Sequence, residues 1–264
     1  MRHALQAMET NDASAYIPAS HASFFDRAEM TDTTRTPPPR IERVEIDGQA
    51  GFLKRPEILI RRMRLQKGDA IAAFEAERSA YQRLGELGLP VPKLLDEGED
   101  YFVTKDSGPS MIDLLRRGGA SHEDFKNAIG MAAETLADFH ARGYSHGRPA
   151  LKDICWDQKN ITFIDLERIS PSRDNLKGHG LDVLVFFFSL ISETGSIGDE
   201  AFDARKRYQA KDTKGIWQEA LRQTRKLRVL AFVLWPLIRL LKNKREFAAI
   251  GPFLRFFSGD QFSD

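Results

Sequence analysis

Apolar positions along the chain fall into two regimes. From Arg40, Ile41, Val44 and Ile46 lie in a strand-like run; Asp47-Gly48 is a hairpin turn signal, and Ala50 to Lys54 reads as the returning strand. A helix follows from about Asp69, where Ile71, Phe74, Arg78, Tyr81 and Leu84 recur near helical spacing, and Gly88-Leu-Pro90-Val-Pro92 stops it. Tyr101 to Thr104 is a further short strand. Ser110 and Asp113 then form a capping pair that opens another helix.

After Gly119 the pattern turns helical. Phe125, Ile129, Ala132, Leu136 and Phe139 make one apolar face, closed by Gly143. Two short strands are expected over Asp153 to Trp156 and Ile161 to Leu166, and further helices start from Leu181 and Ile216. The β-rich part before the helical part predicts an α+β fold of two lobes with a cleft between them. The expected divisions are an arm over 1–40, a small lobe over 41–104 and a helical lobe over 105–264. The arm is polar, ends in Pro37-Pro-Pro39 and reads as disordered; Met1 and Met30 both stand as starts.

Composition narrows the function classes. The chain has 264 residues, with 39 Lys and Arg against 38 Asp and Glu, a formal net charge of +1. That balance argues against a bulk nucleic-acid binder. The single cysteine, Cys155, excludes an internal disulfide framework, fits a reducing compartment, and reads as an inert buried thiol. The longest apolar run, Val229 to Ile238, is far short of a membrane span, and no apolar segment suited to a secretory signal follows Arg2. A cytoplasmic protein is expected.

The densest chemistry lies in His146-Gly-Arg-Pro-Ala-Leu-Lys-Asp153 and Ile161-Thr-Phe-Ile-Asp165-Leu-Glu167. Asp153 and Asp165, each beside a short apolar strand, are carboxylates of the kind that converge on one Mg²⁺. Upstream, Lys54 ends an apolar strand and Glu77 lies on the next helix, a pairing that fixes an ammonium over nucleotide phosphates.

This order of lysine strand, glutamate helix, hinge, His-Gly loop and Ile-Asp-Leu resembles the protein-kinase-like fold. It is most similar to the bacterial branch of aminoglycoside-type phosphotransferases and lipopolysaccharide core (Kdo or heptose) kinases, over roughly residues 41–192. The resemblance implies ATP and Mg²⁺ as cofactors and an envelope sugar or glycolipid as acceptor. Lys54 then holds the phosphates, Glu77 (rather than Glu75) positions it, and residues 102–106, with Val103 and Lys105, meet the adenine. Asp153 and Asp165 hold the metal, and Asp182, expected to open the Leu181 helix, braces the loop. His146 is expected to pack rather than transfer protons.

Two departures stand out. No Gly-rich loop precedes the lysine strand, and Arg148 stands where the branch carries its catalytic aspartate. Arginine stays protonated and cannot act as the base. The residues leave three outcomes open: Arg148 neutralises the transferring phosphoryl group, Asp153 takes over as base, or the chain is a pseudokinase that binds nucleotide without efficient turnover.

The charge balance also conceals two basic clusters. Lys54, Arg55, Arg61, Arg62, Arg64 and Lys67 are opposed by Glu57 alone; Arg222, Arg225, Lys226, Arg228, Arg239, Lys242, Lys244 and Arg245 have no acid among them. In the second, Leu227, Leu230, Ala231, Leu234, Leu237, Ile238 and Leu241 form a core-facing stripe, with a break expected near Pro236. Aromatics among those cations suit peripheral contact with the inner face of the membrane, or an anionic lipid headgroup.

Overall fold

The computed structural model describes residues 39–56, 70–118, 120–233 and 245–258. Asp47 and Gly48 both adopt positive φ, 49° and 74°. That conformation lets a two-residue turn join strands β1 (Ile41–Ile46) and β2 (Gln49–Lys54). Two further strands, β3 (Leu94–Glu97) and β4 (Phe102–Lys105), complete an antiparallel sheet in the order β1-β2-β4-β3. Lys54 pairs with Phe102, and Leu53 with Val103.

Helix α1 (Ala70–Glu86) crosses this sheet. It buries Phe74, Glu77, Ala80, Tyr81 and Leu84 on one face, with the rings of Phe74 and Tyr81 centred 5.1 and 5.8 Å from that of Phe102. Ile71, included in the expected apolar face, is exposed. The face begins at Phe74.

The helical part is larger. Ser110 caps α2 (Met111–Arg117), as its spacing to Asp113 predicts, and Ser121 caps α3 (His122–Ala141) in the same way. All five apolar positions expected on α3 are buried. Between α3 and the next helix, β5 (Ile154–Trp156) and β6 (Ile161–Phe163) form a small antiparallel ribbon. Helix α4 (Leu176–Thr194) starts five residues before the expected Leu181, because Asn175 accepts from the N–H groups of Lys177 and Gly178 and sets the start there. Asp182 is therefore buried inside the helix rather than at its opening.

Helix α5 (Asp199–Lys211) is an additional element; Ala201, Ala204 and Tyr208 are its apolar anchors. Helices α6 (Ile216–Val233) and α7 (Arg245–Phe256) close the fold. Trp217 of α6, Phe187 of α4, and Phe256 with its neighbour Phe257 form an aromatic cluster with centroids 5.0 to 6.3 Å apart. The result is a mixed α+β architecture, with a small antiparallel sheet preceding a larger helical part.

One expectation for the C-terminal region is corrected. Leu227 does not face the core: it is 40% exposed, while Arg228 is half-buried and donates to the Leu254 carbonyl at 2.9 Å. Docking of α7 turns the arginine inward and leaves Leu227 in solvent. Of the rest of that stripe, Leu230 and Ala231 lie on α6; its remaining positions, the Pro236 break, most of the first basic cluster and nearly all of the N-terminal arm lie outside the described residues.

Candidate functional site

Lys54 leaves the end of β2 and meets Glu77 of α1 in an ion pair whose side chains are 15% and 3% exposed. Glu75, the alternative partner, pairs instead with Arg78 one turn on. Burial raises the Glu77 carboxyl above its ordinary range, and the Lys54 ammonium opposes that shift. One turn along α1, beside the Glu77 carboxyl, the Tyr81 hydroxyl accepts the backbone N–H of Asp165 at 3.0 Å; burial and the Glu77 charge raise the pKa of that hydroxyl. Lys54, Glu77, Tyr81 and Asp165 thus form one chain of contacts from the sheet to the segment after β6.

The loop before β5 is set by Asp182. Its carboxylate accepts the N–H of His146 at 2.6 Å and of Gly147 at 2.9 Å, and lies 3.3 Å from His140 Nε2. His146 is fully buried. Its Nε2 lies 3.0 Å from the Ile164 carbonyl, and its Nδ1 accepts the Arg148 N–H at 3.3 Å. Burial also pushes its pKa down. The ring is a neutral spacer between the loop and β6, in keeping with the packing role expected of it.

Gly147 adopts φ +90°, and a Cβ there would stand 2.5 Å from the Arg168 carbonyl oxygen. Only glycine allows the loop to approach the 166–168 turn so closely. That approach aims Arg148 at the carboxylates. Its Nη2 lies 2.5 Å from Asp165 Oδ2 and 3.7 Å from Glu167 Oε1, and its Nε lies 3.7 Å from Asp153 Oδ2. Lys152 Nζ lies 2.9 Å from Asp153 Oδ1 and 3.5 Å from Asp165 Oδ2.

The two aspartates respond oppositely. Burial raises Asp153 to about 6 against the pull of Lys152 and Arg148. Burial also acts on Asp165, but Lys152, Arg148 and Lys54 together outweigh it and leave that carboxyl below its ordinary value. Asp165 itself sits in the left-handed region, at φ 62° and ψ 57°.

These contacts decide how well the pair suits Mg²⁺. The donor oxygens are of the right kind. Yet both carboxylates already face Arg148 and Lys152, and a doubly charged ion would have to displace an arginine that keeps its proton. At about 4 Å, each pair of unit charges is worth about 4 kcal/mol at an effective dielectric of 20. The arrangement therefore does not fit a resident Mg²⁺ held between Asp153 and Asp165.

The remaining expected site residues lie apart from this network. Val103 is fully buried within β4 and paired to Leu53 on one side and Asp96 on the other. Lys105 is exposed at the strand end, its N–H donated to the Lys93 carbonyl at 2.8 Å. Neither makes a hydrogen bond to the Lys54–Asp165 chain. Cys155 is buried, and burial pushes its thiol up to about 12, so it is an inert side chain. Tyr81 and Lys152 are the functional candidates that the sequence pattern does not single out. Tyr81 stands four residues after Glu77 on the same helical face, a spacing that carries the signal.

No protein-family model matches the chain. It is 33% identical over 154 residues to an uncharacterized protein of Haemophilus influenzae, a match covering 58% of this chain and 64% of that protein. The chain thus spans somewhat less than two thirds of that relative. Among solved structures it is similar to a divergent kinase lacking the glycine-rich loop, described as regulating membrane ultrastructure of the Toxoplasma parasitophorous vacuole. That similarity has a TM-score of 0.42 and 18% identity, covering 64% of this chain and 63% of the other. Among the described residues, no helix is long and apolar enough to cross a membrane.

Proposed function

We propose that the chain binds a nucleoside triphosphate, ATP by the resemblance above, and transfers its γ-phosphoryl group to a hydroxyl of an anionic envelope sugar or glycolipid. The observation that carries this reading is the Lys54–Glu77 ion pair, linked through Tyr81 to the backbone of Asp165. Such a lysine fixes phosphates by charge, and its glutamate keeps it aimed. Asp153 is the group suited to take the acceptor's proton. Its Oδ2 is buried without a hydrogen-bond partner, beside an Arg148 Nε in the same condition.

In the step itself, the acceptor oxygen forms a bond to the γ-phosphorus as the bond to the bridging oxygen breaks. The hydroxyl proton passes to Asp153, and the nucleoside diphosphate leaves. Arg148 and Lys152 stabilise charge on the transferring group, which matters because positioning and electrostatics supply most of the acceleration in such reactions. For the anionic acceptor, support comes from Lys152 and Arg168, each about half exposed beside the carboxylates. A peripheral membrane role has thinner support. Arg225 and Lys226 are exposed, but Arg222 pairs with Glu219 and Arg245 with Glu193.

The test is transfer of labelled γ-phosphate to an envelope glycolipid extract by wild type and by Asp153→Asn. The expected result is transfer by wild type and a loss of about 10²-fold or more in the variant, the usual weight of a general base. The Arg148–Asp165 contact favours one second reading, a pseudokinase. Nucleotide binding with no transfer to any extract would select it.

A further inference from the structure

The carboxylates around Arg148 are balanced by cations of the chain itself. Asp165, Asp153 and Glu167 all lie within 3.7 Å of its guanidinium; Lys152 spans the two aspartates, Arg168 lies 3.9 Å from Glu167, and Lys54 pairs with Glu77. Four carboxylates and four cations are interleaved. A divalent ion entering here would have to displace cations that already compensate these carboxylates.

Arg148 is also held in place rather than trailing in solvent. Its N–H is bound by His146, and the residue before it is fixed by Asp182 through its N–H and by Arg173 through its carbonyl, at 3.1 Å. Its Nη2 is taken by Asp165 and its Nε is buried beside Asp153, but the side chain is 31% exposed and Nη1 carries no bond to the described residues, so that donor remains for an incoming anion. A guanidinium offers a planar fork that fits phosphate oxygens in pairs, and it carries its charge at every physiological pH.

We infer that Arg148, with Lys152, does the work of a divalent ion: the phosphates of the bound nucleotide are held by side-chain cations, and binding does not require Mg²⁺. This rests on the nucleotide-site reading above and specifies how that site recognises phosphate. It also gives the replacement of the expected aspartate a positive role. One residue removes a carboxylate and supplies a cation at the same point, altering the local charge by two units.

The experiment is equilibrium binding of a fluorescent ATP analogue to the full chain, measured with excess EDTA and again with millimolar MgCl₂. Wild type is expected to bind in both, with dissociation constants within about threefold of each other. Arg148→Asp is expected to bind in MgCl₂ and to weaken by about tenfold or more in EDTA, the scale of losing a charged hydrogen-bond donor. Arg148→Lys keeps the charge without the fork and should stay metal-independent, with lower affinity. Wild-type binding seen only with MgCl₂ overturns the inference while leaving the nucleotide site standing. Absence of binding under both conditions overturns the inference and the nucleotide reading together. The wild-type comparison decides the matter even if a variant fails to fold.

Discussion

The hydroxyl of Tyr81 accepts the backbone N–H of Asp165 at 3.0 Å, joining two residues 84 positions apart. The same hydroxyl lies one helical turn from Glu77, and the ring is buried against Phe102. One side chain therefore ties the lysine-bearing sheet, the helix above it and the carboxylate segment together.

Tyr81→Phe keeps the ring and removes only that link. It leaves the Asp165 N–H short of a partner, at about 1–3 kcal/mol. Urea unfolding should show a lower midpoint with an unchanged slope. A midpoint equal to wild type would mean that the link carries no stability.

Lys54→Ala should destabilise the fold in a pH-dependent way. Burial already raises the Glu77 pKa, and the variant removes the charge opposing that rise. A carboxyl with a raised folded pKa stabilises while protonated and loses that contribution as pH climbs above its unfolded value. The variant should therefore lose more stability at pH 8 than at pH 5, with about 3–5 kcal/mol as the scale for an orphaned buried partner. Adding Glu77→Gln should recover much of the loss. Equal losses at both pH values would refute this account of the pair.

His179 gives the acid limb of stability. It is buried, stacks on His140 at 4.7 Å, and has an Nε2 without a hydrogen-bond partner. Burial, together with His140 and Lys214 nearby, lowers its pKa to about 4, against a weaker opposing pull from Asp182. Its unfolded value is about 6.5, so between these limits the unfolded chain binds more protons and stability falls as pH falls. The melting temperature of wild type should drop across that window, and that of His179→Asn should drop less. Parallel curves would assign the acid sensitivity elsewhere.

Gly147→Ala sets a side chain against the Arg168 carbonyl at a backbone conformation that disfavours one. The expected loss is about 1–3 kcal/mol, together with weaker nucleotide binding because Arg148 is no longer aimed. Unchanged affinity in a folded variant would separate the loop's shape from its function.

Much of this was legible in the chain. The order of Lys54, Glu77, His146, Asp153 and Asp165 is sequence information, and the spacing to Leu89-Pro90 favours Glu77 over Glu75. Elements with weak apolar signals were harder to see. β3 is four residues, Leu-Leu-Asp-Glu, without alternation, and α5 rests on two alanines and a tyrosine amid charged neighbours. Arg148 is visible as a departure, but where its guanidinium goes depends on Gly147 and Asp182, whose contacts form only on folding. Leu227 shows the opposite failure: its periodicity is real, yet α7 claims the neighbouring face.

Tyr81 grips position 165 by its backbone, while the side chain there is engaged separately, by Arg148 and Lys152. The left-handed conformation at that position also suits asparagine and glycine better than most residues. The mount and the tool it carries are thus separable. A substitution at 165 can change the charge offered there without cutting the backbone link to Tyr81.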